Sequence, residues 1–311
     1  MFAAPKRGQG IACTMIFYNP KDWFVAIFRF HKADTFRALF PLLVFMGLYS
    51  WGIVYLEIQY LKLSENNHAK NITVMHTLLG FAISMLLVFR TNTAYDRWWE
   101  GRKLWGSLVN NSRNLAIKLQ VMLPEDDPAS RQFFKQLIPL YALALKRHLL
   151  KESTRLQLDE LPHPELPDIN STTHLPNDIA LSMISKVNRL YKEGKLTGDQ
   201  LIVLNSELQS FTDICGACER IKNTPIPYSY SAFIKKFIFI YVLTLPFGFA
   251  FNLGYYSIPV TTFIFYVLAS LELIAEEIED PFGQDSNDLP MQRMAEAIGG
   301  NIRDILGKPL R

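Results

Sequence analysis

With 311 residues, 49% of them apolar, and a net charge of +3, the chain can form a small membrane bundle plus a water-facing part. A mean hydropathy of +0.08 excludes burial of the whole chain in lipid, so roughly half of it should face water. The near-neutral charge leaves no basic footprint for nucleic acid, and three cysteines exclude a disulfide framework.

The first segment, Met15 to Lys32, reads MIFYNPKDWFVAIFRFHK and is too interrupted by charge to span a membrane. Trp23, Phe24 and Phe28 beside Lys21, Arg29 and Lys32 suit a helix lying in the membrane interface. A soluble docking helix fits these residues equally well. No short apolar core ends in small residues, so no cleavable signal peptide is expected. A first span is expected over 38–56, after Arg37, and a second over 72–89. No charge falls between Lys70 and Arg90, close to the run a helix needs to cross about 30 Å of hydrocarbon. Arg90, Asp96, Arg97, Glu100 and Arg102 then follow abruptly and mark a cytoplasmic edge.

Residues 94–230 carry apolar positions at helical spacing, as in QFFKQLIPLYALALKRHLL and TGDQLIVLNSELQSFTDICGACERI. HPELPDINSTTHLPN reads as loop. From Phe237 to Leu271 there is again no charge, and NLGYYSIP, with Gly254 and Pro259, divides this run into spans over 237–253 and 258–275. Lys and Arg crowd the outer ends of the four spans, which puts both termini and the central region in the cytoplasm; Lys62 and Lys70 are discordant. The expected division is an interfacial segment 1–37, spans one and two within 38–93, and a cytoplasmic helical region 94–232. Spans three and four follow within 233–278, then a cytoplasmic end 279–311 with an acidic turn.

Enzyme signatures are absent: there is no P-loop, no G-x-G-x-x-G after a strand and no H-E-x-x-H. Six histidines are scattered without ligand spacing, and no second pair or nearby histidine completes a zinc site at Cys215 and Cys218, so helix packing is the favoured role of that C-x-x-C. His76, near the outer end of span two, is read as structural or interfacial. Phe81, Met85 and Phe89 lie four apart on one helix face, with Gly80 and Ser84 beside them. If several copies of this helix surround an axis, such a stripe becomes an apolar constriction; packing within one subunit is the competing reading. After span four, Asp280, Asp285 and Asp288 collect around a Pro-Phe-Gly turn that could offer oxygens to a hard cation such as calcium, or simply be a solvated helix end.

FRTNTAYDRWWEGRKLWG after span two, CERIKNTPIPYSY before span three and EEIEDPFGQDSNDLP after span four occur in that order. Together they resemble the bestrophin family of ion channels, in its bacterial branch. The resemblance implies an all-α homopentamer around a central pore, each subunit with four spans and a helical cytoplasmic body. It places Phe81, Met85 and Phe89 at the membrane neck, and a second, cytoplasmic aperture near Asp199 and Gln200. Relatives often carry an aliphatic residue at that aperture, so five Asp199 carboxylates would favour cations there. The family's calcium segment is diluted here, with Asp280, Asp285 and Asp288 as the candidate ligands; no cofactor is required. The resulting expectation is a channel, not an enzyme, for small monovalent ions. The family's usual chloride role tips a near balance toward anions. A cation channel of the same fold, a non-conducting membrane protein and a membrane enzyme are the alternatives. The partners expected are further copies of the chain, lipid and permeant ions, with no nucleic acid, and the location is a bacterial inner membrane.

Overall fold

The structure, a computed structural model, describes residues 34–61, 72–150, 174–285 and 287–308. The N-terminal amphipathic stretch, Lys62 and Lys70, most of the Pro- and Asn-rich loop, and Ser286 of the acidic turn lie outside the described residues. Every regular element among the described residues is helical. The α-helices are α1 (Asp34–Leu56), α2 (Ile72–Met122), α3 (Pro128–Leu150), α4 (Leu175–Lys192), α5 (Gly198–Asn223), α6 (Tyr228–Leu253), α7 (Ser257–Glu279) and α8 (Met291–Leu306). A π-helical turn, Glu57–Leu61, ends α1, and a 3-10 turn, Gly254–Tyr256, joins α6 to α7.

Two compact units divide the chain. Of the described residues, one unit holds those within 34–97 and 225–279, the other those within 98–224 and 280–308. Among the described residues, four helices are long and apolar enough to cross a membrane, over Thr35–Tyr60, Val74–Met122, Tyr228–Ala250 and Gly254–Glu279. These are the four expected spans, and the chain is an integral membrane protein. The helices outrun the apolar stretches that announced them. α2 runs unbroken for 51 residues, about 76 Å at ~1.5 Å per residue. Between Ile72 and Met122 there is no proline, so the charged box after Phe89 changes what surrounds the helix without ending it.

In the first unit, α7 packs on α1 and on α6. Leu39, Leu43 and Met46 of α1 meet Ile83 and Leu87 of α2, Ile234, Ile238, Val242 and Leu245 of α6, and Phe265 of α7. The reversal between α6 and α7 turns on Gly254, whose φ of 53° is costly for any residue with a Cβ. α2 approaches α6 closely at Gly80, where an added Cβ would sit 2.8 Å from the Tyr241 hydroxyl. Small residues serve such contacts between membrane helices.

In the second unit, α3 packs on α8 and α4, and α4 on α5. Trp105, Leu108, Leu115, Phe134, Tyr141 and Phe211 anchor its core. Helix starts are well specified. The Asp127 carboxylate, ahead of α3, accepts from the backbone N–H of Ser130 at 3.0 Å and from its hydroxyl at 2.9 Å. Thr197 and Gln200 form a reciprocal capping box at the start of α5.

Candidate functional site

The stripe on α2 lies on the face turned away from its own unit's core. Phe81 is 70% exposed, Met85 42% and Phe89 56%, whereas His76, Ile83, Leu87 and Arg90 on the other side are buried. Among the described residues, these side chains are not packed into the core of their own unit. Ser84 bonds back to the Gly80 carbonyl at 2.7 Å, which leaves the stripe lined by rings, a thioether and little else that is polar. His76 is structural here: its Nε2 lies 3.0 Å from the Thr244 hydroxyl.

The buried face of α2 ends in a charge cluster that sequence reasoning missed. Arg90 is 1% exposed, and its Nη2 donates to Glu279 Oε2 at 2.7 Å. Buried Glu272 lies 3.6 Å from Arg90 Nε. Glu279 also accepts from the backbone N–H of Ile226 at 2.8 Å, and its carbonyl accepts from Arg97 Nε at 3.0 Å. Charges at the edge of a span that face the protein interior and pair there can hold the helices in register. Only the pairing of FR with E-E-I-E could have signalled this, and 189 residues separate Arg90 from Glu279.

Asp199 is exposed in the first turn of α5, where a negative charge suits the helix dipole. Gln200 is half-buried, and its side-chain oxygen accepts from the Thr197 N–H at 2.9 Å. Its place at the helix start thus has a structural cause of its own.

The acidic turn folds onto α2 within the second unit. Gly101 lets it approach: an added Cβ there would stand 3.1 Å from the Phe282 ring and 3.2 Å from Pro281. Phe282 is fully buried, and Trp98 Nε1 donates to the Asn287 carbonyl at 2.9 Å. Arg220 donates to Glu100 at 2.6 Å and Lys222 to Asp280 at 2.6 Å. Residues from all three sequence strings therefore meet. Asp288 is buried, with Oδ2 accepting from the Asp285 N–H and Oδ1 without a hydrogen-bond partner. Burial, with Asp285 and Asp280 nearby, pushes its carboxyl up to about 7.

The family model of bacterial/fungal bestrophin proteins matches residues 15–304. The chain belongs to that family. A voltage-dependent anion channel-forming protein of Nostoc sp. is 32% identical over 289 residues, covering 92% of each chain. The voltage-dependent anion channel-forming protein YneE of Escherichia coli K12 is 31% identical over 288 residues, covering 91% of each. The crystal structure of a point variant of a bacterial bestrophin homolog from Klebsiella pneumoniae superposes with a TM-score of 0.77 at 29% identity. It covers 86% of this chain and 98% of that one. The relatives and the fold are those of channel proteins, not enzymes.

One further cluster in this bestrophin chain escaped the sequence. His148, His174 and Glu219, scattered in the sequence, converge in the second unit. The histidine rings have centroids 4.2 Å apart, and both Nε2 atoms approach one oxygen of Glu219. Burial opposes ionisation of Glu219, but the hydrogen bonds from His174 and His148 outweigh it and hold the carboxyl below its usual value. The neighbouring Cys215 and Cys218 are free, buried thiols. Burial and the Glu219 charge push Cys215 up to about 12, and burial likewise raises Cys218. Both stay protonated and packed, as the helical reading of the C-x-x-C expects.

Proposed function

We propose that the chain is the subunit of a homopentameric channel that passes small monovalent ions, anions ahead of cations, through an apolar neck. The observation that carries this reading is the outward-facing stripe of Phe81, Met85 and Phe89 on a membrane helix. Five copies of that face around an axis make a constriction where an ion must shed water. Phe81 and Phe89 then present ring edges, whose partial positive charge favours anions. The anion-channel names of the relatives support the same choice. Both termini lie in the cytoplasm and the bilayer is a bacterial inner membrane. The cytoplasmic aperture lies near Asp199 and Gln200.

A cation-selective channel of the same fold is the second reading. It is favoured by the exposed carboxylate of Asp199, since a ring of five would attract cations and repel anions. Calcium is a candidate ligand of the acidic turn, through Asp280, Asp285 and Asp288, and the unpartnered, buried Oδ1 of Asp288 supports it. Currents indifferent to both calcium and a chelator would remove calcium from this reading.

Met85 is the flexible member of the neck. Met85→Ala should widen it and raise single-channel conductance in a planar bilayer. An unchanged current would put Met85 off the ion path.

A further inference from the structure

The cluster at Glu219 takes no part in the ion passage proposed above. Its three residues come from three packed elements: His148 from the last turn of α3, His174 immediately ahead of α4, and Glu219 from α5. His148 Nε2 stands 2.6 Å from Glu219 Oε1 and His174 Nε2 closer still, and the donor atoms all lie within 4.8 Å of one another. We propose that His148, His174 and Glu219 form a binding site for a divalent transition-metal ion of the zinc type, held by the two Nε2 atoms and a carboxylate oxygen, with water completing the sphere.

The donor set decides the class of ion. Two imidazole nitrogens and one carboxylate suit zinc and its neighbours, whereas calcium and magnesium take oxygen. Donor atoms bound to one zinc ion at ~2.0–2.1 Å lie about 3.3 Å apart in a tetrahedral sphere. An opening of about 1 Å therefore seats the ion. Each of the three side chains is about one-third exposed, which leaves an entry path and room for water. Around them, Cys215 stands one turn before Glu219 on α5, beside Glu219 and Tyr141. The Tyr141 hydroxyl in turn donates to the Phe211 carbonyl at 2.6 Å. Such outer partners orient a metal ligand. The Cys215 sulfur is not among the donor atoms that gather within 4.8 Å of one another, so it stands outside the ligand set.

One local cost is visible. His174 Nδ1 accepts from the Asn177 N–H at 3.3 Å. Binding metal through Nε2 puts the ring proton on Nδ1 and gives up that long contact. In return, the ion would tie the end of α3 and the start of α4 to α5. A carboxylate accepting from two neutral imidazoles satisfies the same distances without metal, and that is the rival to be separated by experiment.

Untagged full-length protein in detergent, stripped with a chelator, should take up one Zn2+ per chain when zinc alone is titrated in. Glu219→Gln and His174→Ala should each weaken uptake by no less than the roughly tenfold that loss of an outer-shell partner costs, while Cys215→Ser still binds. Should the variants fail to fold, Co2+ added to the unmodified chain decides. It should give the visible bands of a nitrogen and oxygen sphere, with no thiolate charge-transfer band. Absence of stoichiometric zinc, uptake unchanged in both ligand variants, or a thiolate band would overturn the site.

Discussion

At Asp127 a single carboxylate starts a helix and meets a cation. Besides capping α3 through Ser130, it accepts from Lys195 Nζ at 3.0 Å. Burial opposes its ionisation, yet the hydrogen bonds from Ser130 and Lys195 outweigh that and hold its carboxyl below the usual aspartate range. A carboxyl depressed on folding contributes stability that is complete above the unfolded value and is lost as pH falls through the folded one. Asp127→Ala should therefore cost about 1 kcal/mol at neutral pH, the usual loss for such a cap, and the gap should begin to narrow near the unfolded value, pH ~4, and close only as pH falls past the lower folded one. Thermal unfolding of both proteins at neutral and acid pH measures it; a gap independent of pH would contradict this role. Individual residues were unevenly legible in the sequence. The four-residue spacing of Phe81, Met85 and Phe89 marks a shared face, because helix geometry is local. The meeting of His148, His174 and Glu219 is not legible, because 71 residues separate His148 from Glu219 and no fixed spacing links them.

Among the elements, α2 is the one whose sequence misleads about where it ends. The switch from uncharged to charged residues after Phe89 marks a change of solvent, which is easily mistaken for the end of the helix. The helix continues because its hydrogen bonds need no particular surroundings and no proline interrupts them. What the switch does mark is the charge cluster at Arg90. Removing one member of a buried pair leaves the other charge uncompensated, which typically costs about 3–5 kcal/mol. Arg90→Met should destabilise the chain by that order, through Glu279 and Glu272, and lower its melting temperature in detergent. A melting temperature equal to that of the unmodified chain would show that the pair does not hold α2 to α7. The same logic explains why the acidic turn was only half legible. Its carboxylates invite a cation on paper, but Asp280 is already paired with Lys222, and Phe282 and Gly101 supply a packing reason for the Pro-Phe-Gly sequence.

For the whole molecule, the four spans follow from hydropathy, and the family follows from three separated strings and is borne out by the match over residues 15–304. A pore shared by several copies is a different matter. No local pattern in one chain encodes the number of its neighbours, and an exposed apolar face on a membrane helix is compatible with lipid until symmetry gives it an axis. Selectivity is likewise a property of the assembly, because ring edges at the proposed neck and Asp199 carboxylates at the proposed aperture would act as rings or not at all. These two pull in opposite directions, so the sign of the permeant ion tests the proposed channel most directly. The reversal potential of the purified protein in a planar bilayer under a KCl gradient should lie near the chloride equilibrium potential. A reversal near the potassium potential, or no current at all, would contradict an anion channel.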